Sequence, residues 1–576
     1  MHTLFSGLAI LINNLIPVNL LLITISGLGL SWLRIFPATR GLSNGQKIIL
    51  APVVGLLPLS LLSFGFIQLA LIWTPAFIIG SRLMFVTGLV FVVLFLVDIW
   101  KNRHSLKDWG ITGICLSCFV LFLALRLAFL SNIVLPPYHD SVEHYRILLS
   151  FLDPGSTPSL FTGEYYHYGF HSIAAWLVEM AGVAPETSLA LLGQLFLSLV
   201  PLSLYSFVHG LTHNWKPSLI VALIGAFSWS MPAHAANWGK YPAMAAIILM
   251  PALLALLILL FQEPSTKWKR LHLCLMGIFI FVGITFLHSR GLICLVLAVI
   301  CLLIDFYAVR HIKIEVNRVI AAILAVGFLV SVFLTTSVLW LYATPVLPFI
   351  VFVLAVVAGV IWNPRFTIGV SLWMLLLWAL TFLPAPGYFQ KYSLYSIDTP
   401  FLQIAAFLPF VLLTGSGFSS SLAKFSQKRW IRLAIAVGLA AFLLFGVFTQ
   451  AYQPNDCCNY ASADDRAAIT WIKQNLPEDA QIAIPGRFDL YPVIGSDSGM
   501  WVTPLTGRKT IMLPYDYSWF EEDAHNDVCD MGVVYLYSST FELSFQLNAI
   551  TRPEWYQLVY EAGDVAIYRL IGCDRQ

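Results

Sequence analysis

Two short clusters bring together residues that could carry chemistry. One is Tyr138-His139-Asp140-Ser141-Val142-Glu143-His144-Tyr145-Arg146; the other is Gly163-Glu164-Tyr165-Tyr166-His167-Tyr168-Gly169-Phe170-His171. Asp140, Glu143 and His144 stand at i, i+3 and i+4, so a helical turn there puts all three on one face. A carboxylate so placed can accept the proton of an attacking hydroxyl, tuned by its neighbours. The bland alternative is a solvated loop in which Asp140 caps a helix over 141–152, but capping explains neither histidine. Glu164, Tyr166, His167 and His171, with His139, mix aromatic rings and polar groups in the way sugar-binding surfaces do. An interfacial aromatic belt accounts for the tyrosines but not for the acid and the imidazoles. His139, His144, His167 and His171 also form a candidate metal set, although their spacings match no zinc signature.

The surrounding chain is apolar. Of 576 residues, 59% are hydrophobic and 11% charged, and mean hydropathy is +0.81. Lipid tolerates ionisable groups only where they are wet or paired, so clusters like these mark a site between membrane spans. Apolar runs of about 18 to 25 residues suffice to cross a hydrocarbon core as helices. Fourteen spans are predicted: 15–33, 48–72, 76–100, 110–130, 186–209, 218–231, 241–262, 272–288, 291–309, 319–342, 344–362, 367–383, 401–415 and 431–450. Loops on one side of these spans carry eighteen Lys and Arg, and loops on the other carry four. The basic side is expected to be cytoplasmic, which puts both termini and the 131–170 loop outside a plasma membrane. The start, Met1-His2-Thr3-Leu4, has no Lys or Arg ahead of the apolar stretch, so no cleavable signal is expected. A net charge of +2 with scattered basic residues argues against nucleic acid.

The four external cations are Arg146, Lys240, Arg290 and Lys391, each beside polar or aromatic residues. Lys240 lies in Asn237-Trp238-Gly239-Lys240-Tyr241-Pro242, and Arg290 in His288-Ser289-Arg290-Gly291, a tight turn between two spans. Snorkelling to lipid headgroups is the plain explanation for any one of them. Four together suggest a bound anion, with Arg290 suited to a phosphate.

After residue 452 the composition turns polar. Ser462 caps a predicted helix from Asp464, and 480–484, 532–537 and 564–569 read as strands. This is a small α/β domain over 453–576. It holds Cys457, Cys458, Cys529 and Cys573, which can form disulfides on an oxidising face. The other five cysteines lie in spans and read as packing. The Gly495-Ser496-Asp497-Ser498-Gly499-Met500-Trp501 segment and Arg508 form a glycine-rich stretch that is either a structural loop or a cover for the membrane site.

An acidic first large external loop, then Tyr165-Tyr166-His167-Tyr168-Gly169-Phe170-His171, then Trp238-Gly239-Lys240-Tyr241-Pro242, resembles the bacterial integral-membrane glycosyltransferases of the C superfamily (GT-C). Ala463-Asp464-Asp465-Arg466 and the 495–510 stretch look like the external domain of uncharacterised members. The resemblance implies a polytopic α-helical GT-C-like fold with a small extracytoplasmic α/β domain, and transfer of a sugar from a polyprenyl-phosphate-linked donor. It places the catalytic aspartate, a general base, at Asp140, with Glu143 and His144 beside it; Ser141 stands where some relatives have a second acidic residue. Lys240, His288, Arg290 and Lys391 would hold the donor phosphate. His139, Glu164, Tyr166, His167, His171, Trp238, Tyr241, Asp497, Trp501 and Arg508 would hold sugar or acceptor, the latter a glycan, glycolipid or protein. No resident cofactor is expected beyond a divalent magnesium or manganese ion. The competing expectations are a transporter or flippase of a lipid-linked anion, and an assembly protein that binds a partner through its tail domain.

Overall fold

The computed structural model describes residues 2–36, 39–101, 109–153, 166–262, 267–383, 397–449, 452–489, 493–539, 541–545, 552–563 and 565–573. Glu164 and Lys391, with the stretch 154–165, lie outside these described residues. The apolar runs fold as helices because in lipid a helix satisfies its own backbone. Among the described residues, ten helices are long and apolar enough to cross a membrane. The other four predicted spans fall on the shorter apolar helices Trp215–Phe227, Cys274–Leu287, Val346–Trp362 and Pro364–Leu380, and a further short helix, His2–Asn13, precedes them all.

Several runs that read as single spans are broken. Gly55 stands between Asn44–Val54 and Leu56–Ala70, and a side chain there would strike the backbone carbonyl of Ile25. Pro201, at the start of Val200–Thr212, separates that helix from Pro185–Ser198, since proline removes the N–H that would continue the hydrogen-bond ladder. Burial sorts centre from rim. The best windows of Pro185–Thr212 and Thr399–Lys424 are 94% buried, whereas those of Ala76–Lys101 and Arg429–Thr449 are 11% buried and turn Val, Leu and Ile outward, as lipid-facing helices do.

Arg126, within a span, is fully buried; its Nε and Nη2 both donate to Gln194 Oε1, at 3.0 and 2.7 Å. Its guanidinium lies 5.4 Å from the Tyr452 ring, so it anchors the start of the tail.

The tail folds as a mixed sheet ordered β2 (Ile494–Gly495), β1 (Gln481–Arg487), β4 (Tyr535–Ser538), β6 (Val565–Leu570) and β5 (Tyr556–Ala562). A sixth strand, β3 (Lys509–Pro514), runs parallel to β1. Strand alternation splits its apolar residues between two faces. Ala483 and Leu536 join a core around Trp519 and Val528, while Ile482, Ile484 and Tyr537 join the cluster that continues into the membrane helices. Ser462 caps the helix Ala463–Asn475 in a reciprocal capping box with Asp465. Cys457 pairs with Cys458 and Cys529 with Cys573, and the other five cysteines are free.

Tail and membrane part are laced together. The Tyr138 N–H donates to the Cys458 carbonyl (2.9 Å) and the Asn455 N–H to Asn237 Oδ1 (2.8 Å). Arg466 pairs with Glu186 at 2.8 Å, and Trp501 packs edge-on against Tyr145 with ring centroids 5.3 Å apart. These contacts seat the tail on the helix Tyr138–Leu152, the start of Pro185–Ser198 and the Asn237 turn.

Candidate functional site

Asp140 lies in the first turn of that helix, whose N-cap is Pro137. It is therefore not the cap of a helix beginning at 141. One oxygen receives His139 Nε2 at 2.8 Å and the other pairs with Lys240 Nζ. Lys240 directly precedes the helix Tyr241–Gln262, on a turn in which Gly239 has φ +65°. A Cβ on Gly239 would lie 2.7 Å from Ser141 Oγ and 2.8 Å from Ser141 N. Glycine thus serves twice: it adopts the left-handed turn without strain and lets that turn lie against the Asp140 helix.

His144, one turn beyond Asp140, faces His171 Nε2 with its Nδ1 at 3.0 Å. The helix Gly169–Ala181 supplies His171, and the segment just before it supplies Tyr166 and His167, whose rings stack at 4.0 Å. His167 packs 4.2 Å from His288 (ring centroids), which stacks at 5.2 Å on Phe401. His288 caps the helix Ser289–Tyr307, so Arg290 emerges in its first turn and pairs with Asp398 at 2.8 Å.

These groups enclose a cavity of about 220 Å³. Asp140, His144, Tyr166, His167, Lys240, His288, Arg290 and Asp398 give it a polar end. Pro242, Ala243, Pro400, Phe401 and Ile404, from the starts of two apolar helices, give it an apolar one.

Burial works to raise the pKa of Asp140, but the His139 hydrogen bond and the Lys240 charge outweigh it and hold the carboxyl well below its usual range. Burial lowers His144 to about 4 despite the pull of Asp140. Burial, then the neighbouring imidazoles, lower His167 to about 3 and push His171 and His288 well down, with Arg290 and Lys240 adding to the effect on His167 and His288. At neutral pH the cavity therefore presents an ionised Asp140 among neutral imidazoles.

The structure brings Asp140, His144, Tyr166, His167, Lys240, His288 and Arg290 together, as their assignment to one site requires. Other expected members stand apart. Glu143 shares the helix but points outward, exposed, to Arg146 at 3.0 Å; i+4 rather than i+3 meets the cavity. His139 and His171 act one layer back, on Asp140 and His144. Tyr241 is buried against Phe170 (ring centroids 5.4 Å), its hydroxyl near Ser141 Oγ at 3.4 Å. Trp238 packs on His234.

The three tail residues do not line the cavity. Asp497 is fully buried, raised to about 7 by burial, and accepts from Gly499 N, Ser544 Oγ and Ser539 Oγ. Trp501 docks the domain, and Arg508 closes the Ala463–Asn475 helix by donating to the Lys473 and Leu476 carbonyls. Their polar, glycine-rich surroundings read as a binding loop because such residues also build buried turns.

Among the described residues, one group could hold a metal: His525, Cys529 and Cys573 in the tail, whose ligand atoms lie within 4.8 Å. Its two sulfurs are joined in a disulfide. His139, His144, His167 and His171 do not form such a group, since His144 and His171 spend facing nitrogens on each other.

Asp398 went unread in the sequence. Asp398-Thr399-Pro400 is an ordinary helix start, and its side chain does accept from Phe401 N at 2.9 Å. Nothing local signals that its second oxygen meets Arg290.

The same helical architecture occurs in the crystal structure of the Archaeoglobus fulgidus oligosaccharyltransferase. The apo form matches with a TM-score of 0.50 and 12% identity, over 82% of this chain and 75% of that one. The complex with zinc and sulfate matches with a TM-score of 0.51 and 13% identity, over 79% and 72%. At this identity the likeness is one of fold, and it defines a polytopic helical protein with an oligosaccharyltransferase-like architecture. No curated protein sequence matches the chain. The chain belongs to a family of unknown function, DUF6541, whose model matches residues 22–456.

Proposed function

We propose that this cavity transfers a sugar from a polyprenyl-phosphate-linked donor to an acceptor hydroxyl on the extracytoplasmic face. The observation that carries the reading is the two-ended cavity: cations and an ionised acid at one end, and at the other an apolar wall at the mouth of the Tyr241–Gln262 and Thr399–Lys424 helices. A prenyl chain fits the apolar end, its phosphate the cations, and its sugar the space beside Asp140. The oligosaccharyltransferase-like fold supports a glycosyl transfer of this kind.

In the proposed step the acceptor oxygen attacks the anomeric carbon as the bond from that carbon to the phosphate oxygen breaks. The electron pair leaves with the prenyl phosphate, the proton passes to Asp140, and the configuration inverts. Asp140 is ionised throughout the physiological range, so it is always in the accepting form. As a weak base it takes the proton late, once bond formation has acidified the hydroxyl. Arg290 and Lys240 stabilise the charge growing on the phosphate, and Lys391, outside the described residues, is a further candidate for that role. His288 and Tyr166 supply uncharged hydrogen-bonding groups around donor and sugar. Glu164 is a candidate for acceptor contact. A divalent cation remains a proposal without an assigned ligand set.

The rival reading, a transporter of a lipid-linked anion, calls for charges at broken helices in the membrane midplane. Lys240, His288, Arg290 and Asp398 lie at helix starts instead, which favours transfer.

The test uses membrane vesicles carrying the overexpressed chain, with their own glycans, glycolipids and proteins as acceptors, and a panel of radiolabelled polyprenyl-phosphate monosaccharides. Protein-dependent loss of label from one lipid, abolished in Asp140→Asn, is expected. No loss from any donor, or equal loss in the variant, would overturn the reading.

A further inference from the structure

Asp398 differs from Asp140 in how it is held. One of its oxygens caps the backbone at Phe401 N (2.9 Å) and the other pairs with Arg290 Nη1 (2.8 Å). Both oxygens are committed, one of them to the start of a helix that is 94% buried. Asp140 has His139 on one oxygen and Lys240 on the other, and the long flexible stem of Lys240 can swing its ammonium toward an arriving anion. Arg290 stays at the wall because Asp398 fixes it there, and its planar fork leaves other N–H groups to face the cavity.

The described lining therefore sets two cations, Lys240 and Arg290, against two carboxylates. Its three histidines, His144, His167 and His288, are neutral at pH 7 and add hydrogen bonds but no charge. One phosphate can take Lys240 from Asp140 and share Arg290. A second phosphate meets the fixed negative charge of Asp398, in a partly desolvated space where like charges repel strongly.

We infer that Asp398 is a specificity-determining residue: it holds Arg290 in place and sets the cavity's charge so that a lipid monophosphate is taken in preference to a lipid diphosphate. This rests on the proposed reading of the cavity as a lipid-phosphate site.

The experiment measures binding of undecaprenyl phosphate and undecaprenyl diphosphate, each alone, to the full chain in nanodiscs. Asp398→Asn removes the charge and keeps a side-chain oxygen for the cap, since Asn and Asp cap helices about equally well. The wild type should bind the monophosphate more tightly. Asp398→Asn should move the ratio of the two affinities toward the diphosphate by about tenfold, from the like charge removed beside the site, and Asp398→Glu should restore it. A ratio that is the same in wild type and Asp398→Asn, or a wild type that prefers the diphosphate, overturns the inference while leaving a lipid-phosphate site in place. Binding of neither lipid to the wild type overturns the site itself and the inference with it.

Discussion

Acid should loosen this site well before ordinary denaturing conditions are reached. His144 is buried and its pKa lies at about 4, with His167, half-buried, at about 3; in an unfolded chain both titrate near 6.5. A base whose folded pKa is lowered binds fewer protons folded than unfolded between the two values. Its contribution to stability is therefore complete above about pH 6.5 and is lost as the pH falls toward 4. At about 1.4 kcal/mol per pH unit, moving from pH 7.5 to 5 removes roughly 2 kcal/mol through His144 and no more than that through His167. The unfolding free energy of the wild type, followed by titration with a denaturing detergent in mixed micelles, should fall with this slope. The double variant His144→Asn/His167→Gln cannot take up these protons and should lose about 2–4 kcal/mol less over the same interval. Equal losses in the two proteins would refute the claim that the imidazoles are kept neutral by burial.

Gly239→Ala places a methyl group against Ser141 and a left-handed φ on a residue that disfavours it; the two together should cost about 2–4 kcal/mol and separate Lys240 from Asp140, read as lost prenyl-phosphate binding, and unchanged binding would contradict it. Trp501→Ala empties a buried site against Tyr145, which should cost about 3–5 kcal/mol and expose the tail to limited proteolysis; wild-type protease resistance would mean that the tail is held elsewhere. Cysteines placed at exposed Asp153 and Glu522, in a background lacking the native external ones, should both react with an impermeant thiol reagent in intact cells. Labelling of one alone would break the assignment of the cluster and the tail to one side.

What the sequence displays depends on how local the cause is. Apolar length is local, so every predicted span overlaps a helix and ten of those helices are long and apolar enough to cross a membrane among the described residues, whereas the break at Leu199 depends on the proline two residues on. Ser462 and the strands near 481, 535 and 565 follow capping and alternation rules that a short window contains. The cavity is legible in its first members because Asp140 and His144 share a turn, and because Lys240 and Arg290 violate the charge bias of their loops. Its remaining geometry is tertiary. Which of Glu143 and His144 faces inward, which acid neutralises Arg290, and whether Asp497 meets solvent or a buried turn all depend on partners far away in the chain. Glycine at 239 looks like any turn residue until the Asp140 helix is seen lying against it.

The central claim is that a lipid phosphate sits between Lys240 and Arg290 with Asp140 beside it. A cryo-electron microscopy structure of the chain in nanodiscs loaded with undecaprenyl phosphate tests it most directly. Phosphate density is expected within hydrogen-bonding distance of both cations, with Lys240 turned away from Asp140 and the prenyl chain leaving past Phe401 and Ile404. Phosphate bound elsewhere, with the Lys240–Asp140 pair undisturbed, would contradict it.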